Sequence, residues 1–202
     1  MQRRLLPDSF TCEAAQATIA GWMEPAATVA GDTFDYTFGR SALELSLTDA
    51  MGHGLAAALL ATLVVNSLRN VRREPTGADL ASMAAKANTV MNKHANPEQF
   101  VTGLLLRVDL PSGEVSAVNA GHVPFYRNAT RVDLSAELTA TTHLHPREVV
   151  QYLTRLVRDA CDDQLQDDAT VLCLDWHRGS GPERSVASGA NPTRASASLL
   201  GR

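Results

Sequence analysis

The chain has 202 residues, 45% of them hydrophobic and 20% charged, which are the proportions of a soluble globular protein long enough to bury a core. Its net charge of −4 argues against a dedicated nucleic-acid binder, which carries a basic excess, and no Arg-rich patch stands out. The longest largely apolar run, Leu55 to Val65, is too short to span a bilayer, and Pro7, Asp8 and Glu13 interrupt the apolar stretch that a signal peptide needs.

In chain order, short alternating segments predict strands at Thr18 to Trp22 and Ala42 to Thr48. In the second of these, Leu43, Leu45 and Leu47 alternate with Glu44, Ser46 and Thr48, the pattern of a strand buried on one face. Gly52-His-Gly54 then opens a predicted helix over Leu55 to Arg73, whose last turn is basic. A second helix over Ala78 to His94 follows Thr76 and Asp79, a candidate capping pair. Val101 to Asp109 and Glu114 to Asn119 read as a hairpin joined by Leu110-Pro-Ser-Gly113. Pro146 to Ala160 reads as an amphipathic helix with proline in its first position, and Thr170 to Trp176 as a closing strand. This order predicts an α+β domain, a sheet core with helices on its outer face, rather than a βαβ array.

The composition shifts after Trp176. Residues 178–202 are rich in Gly, Ser, Ala and Pro with few large apolar side chains, so they are expected to form a disordered tail behind a domain spanning 1–177. Cys12, Cys161 and Cys173 form no CxxC pair and leave an odd count, which speaks against a zinc knuckle or disulfide framework and for a reducing, cytoplasmic setting.

The residues that carry chemistry are aspartates at strand ends: Asp32 in Val29-Ala-Gly-Asp-Thr-Phe-Asp35, Asp49 after the Leu43 to Thr48 strand, and Asp167 and Asp168 before the last strand. Carboxylates at neighbouring strand ends converge although they are distant in sequence, and hard cations such as Mg²⁺ or Mn²⁺ select such oxygen ligands. The competing reading is that each is a turn residue at an exposed strand end. Asp159, Asp162 and Asp163 crowd the end of the third helix, where negative charge opposes the dipole, and a nearby cation or solvent exposure would relieve them. Gly52-His-Gly54 lacks the Walker and dinucleotide patterns, so its glycines fit a tight strand-to-helix turn that brings backbone near a metal or substrate. His53 is either a general acid or a polar turn residue. His122 reads as structural, and His143 and His145 have no evident acidic or cysteine partner. Gly-x-Ser-x-Gly is absent, which leaves covalent hydrolase chemistry without support.

Six segments in order resemble the SpoIIE/RsbU branch of the PPM (PP2C-like) metal-dependent protein phosphatases. They are Gln2-Arg-Arg-Leu-Leu-Pro7, Val29-Ala-Gly-Asp-Thr-Phe-Asp-Tyr36, Thr48-Asp-Ala-Met-Gly-His-Gly54, Phe100-Val-Thr-Gly103, Asn119-Ala-Gly-His122 and Asp167-Asp-Ala-Thr170. The resemblance implies an αββα sandwich of antiparallel sheets, two Mn²⁺ or Mg²⁺ ions, and hydrolysis of phosphoserine or phosphothreonine by a metal-activated water. It implies that Asp49 bridges both ions and is the central catalytic carboxylate, that the Ala50 carbonyl ligates one, that Asp32 serves the second, and that Asp167 completes the first with Asp168 beside it. The implied substrate is a phosphorylated STAS-domain protein, an anti-sigma-factor antagonist, with regulation from a separate upstream sensor or none.

The chain departs from the family pattern in one respect. The family continues to a Thr-Asp-Gly motif that supplies another ligand, and no Thr-Asp-Gly occurs here. The expected fold is therefore shortened by loss of strand material after about residue 138, with Asp133 or Glu137 as candidate substitutes. The alternative function is a pseudophosphatase that binds a phosphoprotein without hydrolysing it.

Overall fold

The computed structural model describes residues 5–74, 78–122, 139–162 and 164–178. The expected tail (but for Arg178), Asp133, Glu137, Asp163, Thr76 and the first residues of the Gln2 to Pro7 segment lie outside the described residues.

Among the described residues, seven strands form two antiparallel sheets. One contains β1 (Thr11–Glu13), β2 (Ala17–Glu24) and β7 (Ala169–Trp176) in the order β1-β2-β7. The other contains β3 (Asp32–Phe38), β4 (Ala42–Ala50), β5 (Val101–Asp109) and β6 (Val115–Ala120) in sequential order. Helices α1 (Leu55–Arg72) and α2 (Leu80–His94) cover the outer face of the four-stranded sheet, and α3 (Pro146–Ala160) covers the other. The layers therefore run α–β–β–α, as the resemblance implies.

Two interfaces hold the layers. Between the sheets, Ile19, Phe34, Leu43, Leu45 and Leu47 are buried against partly buried Leu172 and Leu174. Under the helices, Ala57, Leu60, Ala61, Val64 and Leu68 of α1 join Met83, Ala87 and Met91 of α2. The small alanines on α1 let it lie close to the sheet, while apolar residues at helical spacing fill the gap.

The sequence places α1, α2, α3 and five of the described strands within a few residues. It misses β1, which is three residues long, and β3, whose Asp-Thr-Phe-Asp-Tyr-Thr-Phe lacks a polar face with the usual look. The helix starting near Ala78 begins at Leu80, because Asp79 is its N-cap and accepts the Ser82 backbone N–H at 2.9 Å.

The reading of β4 as buried on one face needs correction. Ser46 and Thr48 are buried as deeply as the leucines, because α1 covers that face. Arg72 of α1 reaches down to donate to Ser46 Oγ at 2.8 Å and pairs with Asp35 of β3 at 2.8 Å. Arg69 also pairs with Asp35, at 3.0 Å, and donates to the Leu5 and Leu6 carbonyls, fixing the incoming chain. Polar residues on a strand thus mark a buried hydrogen-bonded layer here, not solvent.

His145 also differs from expectation. Its Nε2 lies 3.0 Å from Glu13 Oε1, and its Nδ1 accepts the Arg147 N–H at 3.2 Å, so it caps α3 and ties that helix to β1.

Candidate active site

The β3–β4 pairing sets Asp32 directly opposite Asp49, and the β4–β5 pairing sets Asp49 opposite Thr102. Directly opposed residues of an antiparallel pair project to the same side, so the two carboxylates stand together at one end of the sheet. They share the face of Phe34, Leu45 and Leu47, which is the face turned toward the other sheet.

The other sheet reaches the same place through the approach to β7. Thr170 Oγ1 donates to Asp32 Oδ2 at 2.7 Å, joining the two sheets at the site. Asp168 accepts three backbone N–H groups: Ala26 at 2.8 Å on Oδ1, and Gly31 at 2.7 Å and Asp32 at 3.2 Å on Oδ2. It therefore clamps the β2–β3 loop into position. Asp167 is exposed beside it, with Oδ1 accepting the Asp168 N–H at 3.0 Å.

The four aspartates influence one another electrostatically. Burial pushes the Asp32 carboxyl up to about 7; the Thr170 hydroxyl opposes this, and Asp49, Asp168 and Asp167 add to it. Asp49 is also raised, first by burial and then by Asp167 and Asp168, while His122 acts the other way. Among the described residues no Lys or Arg pairs with any of the four. Such a set of mutually repelling carboxylates, Asp167 exposed and the other three partly buried, is what a hard divalent cation would stabilise.

The donor set fits such a cation in chemistry. Among the described residues, however, no three carboxylate, imidazole or thiol groups are gathered closely enough to enclose an ion. Asp168 gives both its oxygens to backbone, which leaves Asp32, Asp49, Asp167 and the Ala50 carbonyl as the freer donors. The Ala50 carbonyl is held against Gly31: a Cβ at residue 31 would come within 2.6 Å of that oxygen, and Ala50 N–H donates to the Gly31 carbonyl at 3.3 Å. Only glycine permits so close a backbone approach.

After Ala50 the chain turns through Gly52 and Gly54, with φ of +88° and +76°, and enters α1 without a side-chain cap. This is the tight strand-to-helix turn that the glycines predict, and His53 is exposed upon it. His122 proves closer to the site than its sequence context suggests. Its Nδ1 lies 3.0 Å from Thr102 Oγ1, the neighbour of Asp49 across the strands, and Asn119 closes its turn by accepting the His122 N–H at 2.8 Å. Thr170 was also silent in sequence, although it sits within the Asp167-Asp-Ala-Thr170 segment.

Comparison with known proteins bears on the fold. The family model for Stage II sporulation protein E (SpoIIE) matches residues 39–131. Among solved structures, the PP2C phosphatase domain with a fragment of the regulatory domain of SpoIIE from Bacillus subtilis is 15% identical, with a TM-score of 0.61 over 80% of this chain and 64% of that one. The SiaA-PP2C domain of Pseudomonas aeruginosa is 15% identical, with a TM-score of 0.55 over 79% of this chain and 84% of that one. The RsbU and RsbW domains of a Mycobacterium tuberculosis protein are 24% identical, with a TM-score of 0.50 over 59% of this chain and 33% of theirs. The chain thus spans a third of that protein and under two thirds of the SpoIIE fragment. A search of curated proteins finds no significant match. No described helix is long and apolar enough to cross a membrane. Residues 39–131 thus match the SpoIIE family model, and the two-sheet architecture is the PP2C-like fold of these solved structures.

Proposed function

We propose that the chain is a metal-dependent protein-serine/threonine phosphatase. The observation that carries this reading is the pairing of Asp32 opposite Asp49 at one end of the sandwich, with Asp167 and Asp168 acting on both electrostatically and no paired Lys or Arg among the described residues. Asp32, Asp49, Asp167 and the Ala50 carbonyl would hold two Mn²⁺ or Mg²⁺ ions, and Asp168 would position Gly31 and Asp32 for them. When bound, such a pair supplies a water of lowered pKa and offsets the charge on phosphoryl oxygens. The chain's own part is to fix the donors. Thr170 orients Asp32, the Gly31 contact aims the Ala50 carbonyl, and the inter-sheet core holds both strand ends rigid.

The substrate we infer is a phosphorylated STAS-domain protein that antagonises an anti-sigma factor, with regulation by a separate protein in the cytoplasm. Support comes from the SpoIIE match and from the solved relative in which an RsbU domain accompanies an RsbW domain. The second reading, a phosphoprotein-binding pseudophosphatase, draws on the commitment of Asp168 to backbone and on the missing Thr-Asp-Gly.

Phosphate release from a serine-phosphorylated STAS-domain protein, with Mn²⁺ against EDTA, separates the two. Metal-dependent release that disappears in Asp49→Asn supports the enzyme. A stoichiometric complex without phosphate release favours the binding module.

A further inference from the structure

Most of the large apolar side chains that the described residues leave exposed lie in one place. Met51, Leu55, Leu59 and Phe100 are 46%, 63%, 49% and 56% exposed, whereas Trp22, Val115 and Tyr152 are scattered over other elements. A grouping of this kind on a protein surface marks an interaction site more often than chance exposure does.

The four are neighbours by construction. The Met51 N–H donates to the Phe100 carbonyl at 3.0 Å, so the two backbones lie side by side. Leu55 opens α1 just after the Met51 turn, and Leu59 follows one helical turn later on the same face. The stripe continues to Leu63, which lines an open groove of about 520 Å³ between α1 and α2 together with Val90 and His94.

One end of this stripe is continuous with the carboxylate site, because Asp49, Ala50 and Met51 are consecutive. The surface also carries little charge. Neither α1 nor α2 contains an Asp or Glu, although the whole chain has 22 acidic residues and a net charge of −4. Of their basic side chains, Arg69 and Arg72 of α1 turn inward to Asp35 and Lys86 of α2 pairs with Glu74, so the outer face of the two helices carries little net charge. The helical layer thus offers an apolar surface of low charge beside the carboxylate site, suited to apolar side chains of a bound chain.

Resting on the phosphatase reading of the adjoining site, we propose that Met51, Leu55, Leu59 and Phe100 form the docking surface for the substrate phosphoprotein, taking apolar residues that flank its phosphorylated serine or threonine. A phosphorylated residue held at Asp49 has its chain neighbours over Met51, and from there the stripe leads up α1. Selectivity then comes from apolar contacts beside the phosphate, while the carboxylate end handles any phosphate alike.

The test uses two fluorescent phosphoserine peptides that differ only in leucines or serines flanking the phosphoserine. Binding is read by anisotropy, and phosphate release is measured with Mn²⁺ on both peptides and on p-nitrophenyl phosphate. The expected result is at least about tenfold tighter binding of the leucine peptide. That preference is lost in Leu55→Ser/Leu59→Ser, while p-nitrophenyl phosphate turnover is unchanged. Phe100→Ser, on a different element, should lower the same preference and decides the matter if the helix variant fails to fold. Equal binding of the two peptides, or a preference retained in the variants, overturns the docking surface. Turnover without preference leaves the phosphatase reading standing and rejects the docking surface. Preference without any turnover does the reverse.

Discussion

Asp32 and Asp49 stand directly opposite each other at the ends of β3 and β4, half-buried and with no described basic partner, and this one register fixes the character of the site. Two carboxylates so placed destabilise the metal-free fold and are relieved by a proton or a cation.

The proton gives the first prediction. Asp32 titrates at about 7 in the folded chain against 3.8 ordinarily, so between those values the folded state holds a proton that the unfolded state has lost. Stability of the metal-free protein therefore falls as pH rises through this window, by up to about 1.4 kcal/mol per pH unit, and levels off above it. Urea unfolding in EDTA across this window should show that slope, and Asp32→Asn should flatten it. A midpoint that does not change with pH would contradict the burial of this carboxyl.

The cation gives the second. Mn²⁺ at about a hundred times its Kd should stabilise the fold by about 2.7 kcal/mol. Thermal melts with Mn²⁺ against EDTA read this directly. In Asp49→Asn the metal-induced rise in Tm should largely vanish.

Asp168 should behave differently from its neighbours. Because it accepts N–H groups from Ala26, Gly31 and Asp32, Asp168→Ala leaves three donors without their acceptor and should cost about 2–3 kcal/mol even without metal. A denaturant midpoint equal to wild type in EDTA would show that the clamp contributes nothing.

Gly31→Ala tests the close approach to Ala50. The added Cβ would meet the Ala50 carbonyl oxygen at 2.6 Å, and one of the two backbones must shift. We expect a loss of about 1–3 kcal/mol and a weaker Mn²⁺ response in the same melts, since the carbonyl would be turned from its present direction.

Arg72 is buried against Asp35 and Ser46, with only 4% of its side chain exposed. Arg72→Met should destabilise by about 3–5 kcal/mol by leaving Asp35 buried with one partner fewer. Adding Asp35→Asn should recover part of that loss, which a double-mutant cycle by urea unfolding would measure.

Much of this molecule is legible without coordinates. Helical spacing of apolar residues placed α1, α2 and α3, and alternation placed β2, β4, β5, β6 and β7, because both patterns follow from local geometry and a one-sided core. The aspartates could be picked out as strand-end residues, and the collinear segments pointed to the SpoIIE-type family that residues 39–131 match.

Tertiary structure decided the rest. β3 escaped notice because its Asp35 is satisfied by arginines more than thirty residues away, so that a buried position carries a charge. The same long-range pairing made the polar face of β4 look like a solvent face. His145 gained its acidic partner only when β1 was laid beside the start of α3. The separate duties of Asp167 and Asp168 were likewise hidden: adjacent and identical in sequence, one is exposed at the site while the other holds three backbone amides. Sequence records which groups are present and how they repeat along the chain. Which of them meet depends on strand register and on sheet-to-sheet packing, contacts between residues far apart that no local pattern encodes.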